Sequence, residues 1–116
     1  MHLFRKNRLS QQDRELLREA IAYLETKPTV EYDPRSSEPA AVMNALGLLE
    51  PDYDYLSHKS RLDERGVAPE DMTPEEIATM LTFYQRGERF CDGFIVSAIN
   101  SGELLPIFRR LEELTK

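Results

Sequence analysis

The segment Met72-Thr73-Pro74-Glu75-Glu76, followed by Ile77, Met80, Leu81 and Tyr84 at helical spacing, constrains this chain more than any other feature. Thr73 is placed to cap the helix with its hydroxyl. Pro74 falls at the first helical position, where its missing N–H costs nothing, and Glu76 at the third closes a capping box. The pattern predicts a helix from Pro74 to Arg86 or a little beyond, with one apolar stripe turned inward. A chain with such a helix at its centre, and no pair of alternating strand segments, must build its core from further helices.

Those helices are legible. Ser10-Gln11-Gln12-Asp13 starts one whose stripe is Leu16, Leu17, Ala20, Ile21 and Leu24, stopping ahead of Lys27-Pro28. Residues 27–39 hold Pro28, Pro34 and Pro39 and read as an ordered extended loop lying on the helices. Ser37-Glu38-Pro39 opens a second helix carrying Val42, Met43, Ala45 and Leu46, which Gly47 ends in a left-handed conformation. Pro51-Asp52 suits a turn or a helix start, and a third helix reaches about Arg65, with Tyr55, Leu56 and Leu62 as its apolar members and Gly66 as its stop. Phe94, Ile95, Ala98 and Ile99 form a short helix, and Leu104, Ile107, Phe108, Leu111 and Leu114 a final one with Pro106 in its first turn. The expectation is a single all-α domain over residues 1–116, a compact bundle of five or six short helices, with residues 1–9 as a flexible lead-in.

Composition removes several classes. One cysteine, Cys91, permits no internal disulfide, and with only His2 and His58 beside it no four-ligand zinc site can form. No stretch approaches the roughly 20 apolar residues that span a bilayer, and the basic start lacks the apolar run of a signal peptide, so a cytoplasmic protein is expected. The net charge is −6, distributed unevenly: residues 27–76 hold twelve acidic and five basic groups. Such a middle is unsuited to phosphate binding, which needs a basic stripe; only Arg5, Lys6, Arg8, Arg14 and Arg18 would serve a nucleic acid. It suits a partner with a basic patch, and equally a merely solvated surface.

Two groups of residues are candidates for function. Arg86, Glu88, Arg89 and Asp92 form the densest polar cluster near the core. As a site, the arginines would clamp an anion, with Glu88 or Asp92 as acid or base. As structure, Arg89 and Asp92 would pair to lock a helix junction, with Phe90 filling the core and Gly93 allowing close approach. The second group is Asp52, Tyr53, Asp54 and Tyr55, with Tyr32, where tyrosines among acids make either a partner-binding patch or half-buried lids.

Other chemistry is weakly supported. Cys91 has no local histidine to activate it and reads as a small buried group. Asp54 and His58 share a face but are too few to hold a metal. Asp52-Tyr53-Asp54 opens like a calcium loop, yet Ser57 stands where glycine is required and Asp63 where glutamate is. No cofactor is implied.

The segments Arg86-Gly87-Glu88-Arg89-Phe90-Cys91-Asp92-Gly93 and Ser101-Gly102-Glu103-Leu104-Leu105, running on to Arg109-Arg110-Leu111, resemble a family of small uncharacterised prokaryotic proteins. Its marks are an Arg-Phe-x-Asp/Glu-Gly signature and a Ser-Gly-x-Leu-Leu stretch before the last helix. Glu31-Tyr32-Asp33-Pro34 is similar to its tyrosine-containing extended stretch, whereas residues 50–72 depart from its pattern and lack its tryptophan. The resemblance implies a helical domain and no particular activity. The leading expectation is therefore a non-enzymatic interaction protein, of the inhibitor or adaptor kind that phages and mobile elements encode, binding another protein through its acidic middle. Pairing of two copies through an uncovered apolar stripe is a second expectation. The alternative is a small-molecule or anion-binding protein, or an enzyme, using Arg86, Glu88, Arg89 and Asp92.

Overall fold

A computed structural model describes residues 9–35 and 38–115. The expected flexible lead-in, the basic residues Arg5, Lys6 and Arg8, and Ser37 of the second helix start lie outside these, save for Leu9, which is buried. The described residues form six α-helices and no strand: α1 (Gln11–Glu25), α2 (Ala40–Leu46), α3 (Tyr55–Arg65), α4 (Pro74–Phe90), α5 (Phe94–Ser101) and α6 (Leu104–Leu114). The all-α bundle expected from the sequence is what the chain adopts. None of these helices is long and apolar enough to cross a membrane.

Local chemistry sets most of the boundaries. Ser10 and Thr73 head α1 and α4 with complete capping boxes, closed by Asp13 and Glu76. Gly66 ends α3 at φ 62°, a conformation that glycine adopts without steric cost. Gly47 does not take the left-handed conformation expected of it: at φ −94° it closes α2 through a tightened last turn, its N–H donating to the Asn44 carbonyl. α3 begins at Tyr55, later than the Pro51-Asp52 start expected, because Asp52 is drawn down onto α4. Between α3 and α4 a single 3-10 turn, Pro69–Asp71, was not foreseen.

α4 is the central element and packs against α2, α3, α5 and α6, while α1 covers α2 and α6. Phe108, Leu17, Leu46, Ile77, Leu81, Ile95 and Leu104 are fully enclosed. The Pro-containing loop lies on the helices as expected, held where Asn100 of α5 both donates to the Val30 carbonyl (2.8 Å) and accepts from its N–H (2.7 Å).

α3 is the exception in this packing. Leu62 is its only fully buried residue, and Leu56, expected on the apolar face, is 69% exposed. Its remaining attachment to α4 is polar: Arg65 to Glu76 at 3.0 Å, and the Lys59 ammonium over the Phe83 ring. α3 runs close against α4, yet the side chains it presents at positions 58, 61 and 65 are polar and keep contact with solvent. Between these side chains and the first turns of α4 a space is left open to solvent.

Candidate functional site

That space is a groove of about 510 Å³. His58, Arg61, Leu62 and Arg65 of α3 line one side, at positions i, i+3, i+4 and i+7 of a single helix face. Glu75, Glu76 and Thr79 from the first turns of α4 line the other, and Asp52-Tyr53-Asp54 closes one end.

Asp52 organises this end. It is buried, 8% exposed, and each of its carboxylate oxygens is engaged. Oδ2 accepts from the Thr79 hydroxyl at 2.6 Å and contacts His58 Nδ1 at 2.7 Å; Oδ1 accepts from the Asp54 N–H at 3.0 Å. Its own N–H donates to the Thr82 hydroxyl at 2.9 Å. Burial pushes the Asp52 carboxyl up, but donation from Thr79, His58 and the Asp54 N–H prevails and holds it below the ordinary aspartate value. Asp52 is thus an ionised acceptor at neutral pH. Nδ1 of His58 therefore carries a proton towards it, and in the singly protonated ring Nε2 is an acceptor. Nε2 stands 3.6 Å from Asp54 Oδ2.

The four residues expected as a partner surface therefore divide. Asp52 is internal and orients His58. Tyr53 is 79% exposed and Asp54 is exposed, both on the groove wall, whereas Tyr55 is half-buried and outside it. His58, Arg61, Arg65, Glu75, Glu76 and Thr79 were missed as a group. Their one sequence signal, the spacing of His58, Arg61 and Arg65, is indistinguishable from an ordinary solvated face. Arg65 is paired with Glu76, while Arg61 and Glu75 make no ion pair among the described residues. Nor, among these residues, is any group of three His, Cys, Asp or Glu side chains arranged to hold a metal ion.

The cluster at Arg86, Glu88, Arg89 and Asp92 lies at the other end of α4. The expected Arg89–Asp92 pair is not formed, Phe90 is 83% exposed instead of filling the core, and Cys91 is exposed instead of buried. The reason is backbone geometry: α4 ends at Phe90, and Cys91 at φ −145° and ψ 99° swings Asp92 off the helix face that Arg89 occupies. The junction is fastened by Glu88, whose carboxylate accepts from the N–H groups of Gly93 (3.1 Å) and Ile95 (2.9 Å) and so caps α5. The Phe94 ring lies so close over Gly87 that a Cβ there would stand 2.4 Å from it. Gly93, at φ 84°, sits beneath the Tyr32 ring, whose hydroxyl is pushed above the ordinary tyrosine value by partial burial and then by Asp92 and Glu88. Two segments that carried the family resemblance, around Tyr32 and Gly93, thus meet in space. None of the four cluster residues lines the groove or the smaller cavity at Arg14, Arg18 and Glu112.

Comparison with curated proteins and with solved structures returns no match. A family profile does match, from residue 7 to 116. By that match the chain belongs to a family of unknown function (DUF6508).

Proposed function

We propose that the protein is a non-enzymatic interaction module and that the groove between α3 and α4 receives a segment of a partner protein. One observation carries this reading: Tyr53, a full aromatic ring, stands 79% exposed on the wall of an open groove. A monomer gains nothing from such a ring in water, whereas tyrosine in a partner's contact supplies large area at small entropic cost. Leu56, three residues on, is also left in water. The test is selection of a displayed random-peptide library against the chain and against Tyr53→Ser/Leu62→Ser. Support is a consensus that enriches on the first and not on the second, with circular dichroism showing both folded. No consensus, or one indifferent to the substitutions, refutes the reading. A second copy of the chain is the competing occupant, and sedimentation equilibrium at micromolar concentration separates the two.

A second reading has one observation behind it. An imidazole oriented by a buried carboxylate, in a cavity of this volume, is also how a general base is held. On that reading the groove takes a small molecule. A metabolite whose thermal stabilisation of the chain vanishes in His58→Gln would favour it.

A further inference from the structure

We infer that the closed end of the groove, between His58 and Asp54, is a seat for the guanidinium group of an arginine on the docked segment. This rests on the docking reading above and adds the chemistry of what docks. The first step is the acceptor pair: Nε2 of His58 and Oδ2 of Asp54 lie 3.6 Å apart, and both are hydrogen-bond acceptors when the ring carries one proton, on the Nδ1 that faces Asp52. In that state two acceptors stand side by side with no donor of the described residues between them; they repel each other and are satisfied together by one incoming group carrying two N–H bonds.

The second step is charge. Four carboxylates (Asp52, Asp54, Glu75 and Glu76) line the groove against two guanidinium groups (Arg61 and Arg65), and Glu76 is already engaged with Arg65. The groove therefore complements a cation. The third step distinguishes arginine from lysine. A planar fork presents two N–H bonds to two neighbouring acceptors at once, and its face stacks on an aromatic ring; Tyr53 offers that ring at the same end. An ammonium group meets the charge but neither the fork nor the stack.

The experiment is titration of the full chain, followed by NMR, with three probes: N-acetyl-arginine amide, N-acetyl-lysine amide and inorganic phosphate. The arginine amide is expected to shift the His58 imidazole and Asp54 amide signals, the lysine amide to do so more weakly, and phosphate to leave them unchanged. In Asp54→Asn, an exposed substitution that leaves the fold intact, the arginine amide should bind about tenfold more weakly, the loss of one charge-assisted bond. Preference for phosphate, unchanged affinity in Asp54→Asn, or a proton found on Nε2 of the free chain at neutral pH would each overturn the inference. Its failure is separable from that of the docking reading. Groove-dependent peptides without arginine would leave docking standing and remove the seat. An arginine amide bound at His58, with no groove-dependent peptide selected, would do the reverse.

Discussion

Replacing Asp52 by Asn tests the groove's internal logic with little disturbance of shape. Oδ1 must go on accepting from the Asp54 N–H at 3.0 Å, so the new amide nitrogen takes the place of Oδ2. That position faces the Thr79 hydroxyl at 2.6 Å and His58 Nδ1 at 2.7 Å. An amide nitrogen is a donor, so the imidazole must change tautomer: Nδ1 becomes the acceptor and Nε2 takes the proton. Thr79 turns its own hydrogen to the Glu75 carbonyl, already 3.1 Å away, and accepts from the amide. Every group keeps a partner.

What is lost is the difference between three charge-assisted bonds and three neutral ones, up to about 1 kcal/mol each and less on the half-exposed His58 side, or about 2 kcal/mol in all. For a chain of this length that is a fall of roughly 4–8 °C in Tm. Asp52→Ala, which leaves the Asp54 N–H and the ring without partners, should cost about 3 kcal/mol. Urea denaturation gives the energies, and long-range nitrogen–proton correlations of the ring give the tautomer. If Asp52→Asn is as stable as wild type, or if its Nε2 stays unprotonated at neutral pH, the assignment of Asp52 as the group that orients His58 is wrong.

Three further outcomes follow from the same geometry. Because the folded value of Asp52 lies below its unfolded one, its contribution to stability is present above the ordinary aspartate range and is lost as pH falls through the depressed value; the acid limb of stability against pH should be steeper in wild type than in Asp52→Asn, measured by urea midpoints. Glu88→Ala removes the acceptor for two N–H groups at the start of α5 and should cost about 1–2 kcal/mol, with faster hydrogen exchange confined to the first turn of that helix. Phe90→Ala, at an 83% exposed position, should change stability by less than about 0.5 kcal/mol, whereas Phe108→Ala, fully enclosed, should cost about 3–5 kcal/mol; a large effect at Phe90 would mean that the ring is buried after all.

The contrast between Phe90 and Phe108 shows where sequence reasoning holds. Phe108 belongs to the stripe Leu104, Ile107, Phe108, Leu111 and Leu114, whose inward face is fixed by helical periodicity alone; the first four are buried and Leu114, in the last turn, is half-buried. The capping boxes at Ser10 and Thr73 are likewise local, each closed within three residues. Phe90 sits where the period stops. The rule that places residues three apart on one face holds only while the helix continues, so the expected Arg89–Asp92 pair fails, Asp92 lying two residues past the end of α4. Glu88, read as an acid or base, becomes the cap because a carboxylate one turn back reaches the N–H groups that a glycine at φ 84° turns towards it.

The groove was illegible for a different reason. Asp52 and His58 are six apart, a spacing no helix brings together, and they meet because Asp52 precedes α3 in irregular backbone. Its other side-chain anchor, Thr79, lies 27 residues away and arrives only when α3 folds back on α4. Periodicity registers apolar stripes, and α3 has almost none: one buried leucine, with charges at the positions that would otherwise extend the stripe. That same poverty leaves the α3 wall of the groove polar and open to solvent. A helix carrying leucines in place of His58, Arg61 and Arg65 would be readily recognised in the sequence, would pack flat, and would leave no groove. The weakness of the signal and the existence of the site have one physical origin.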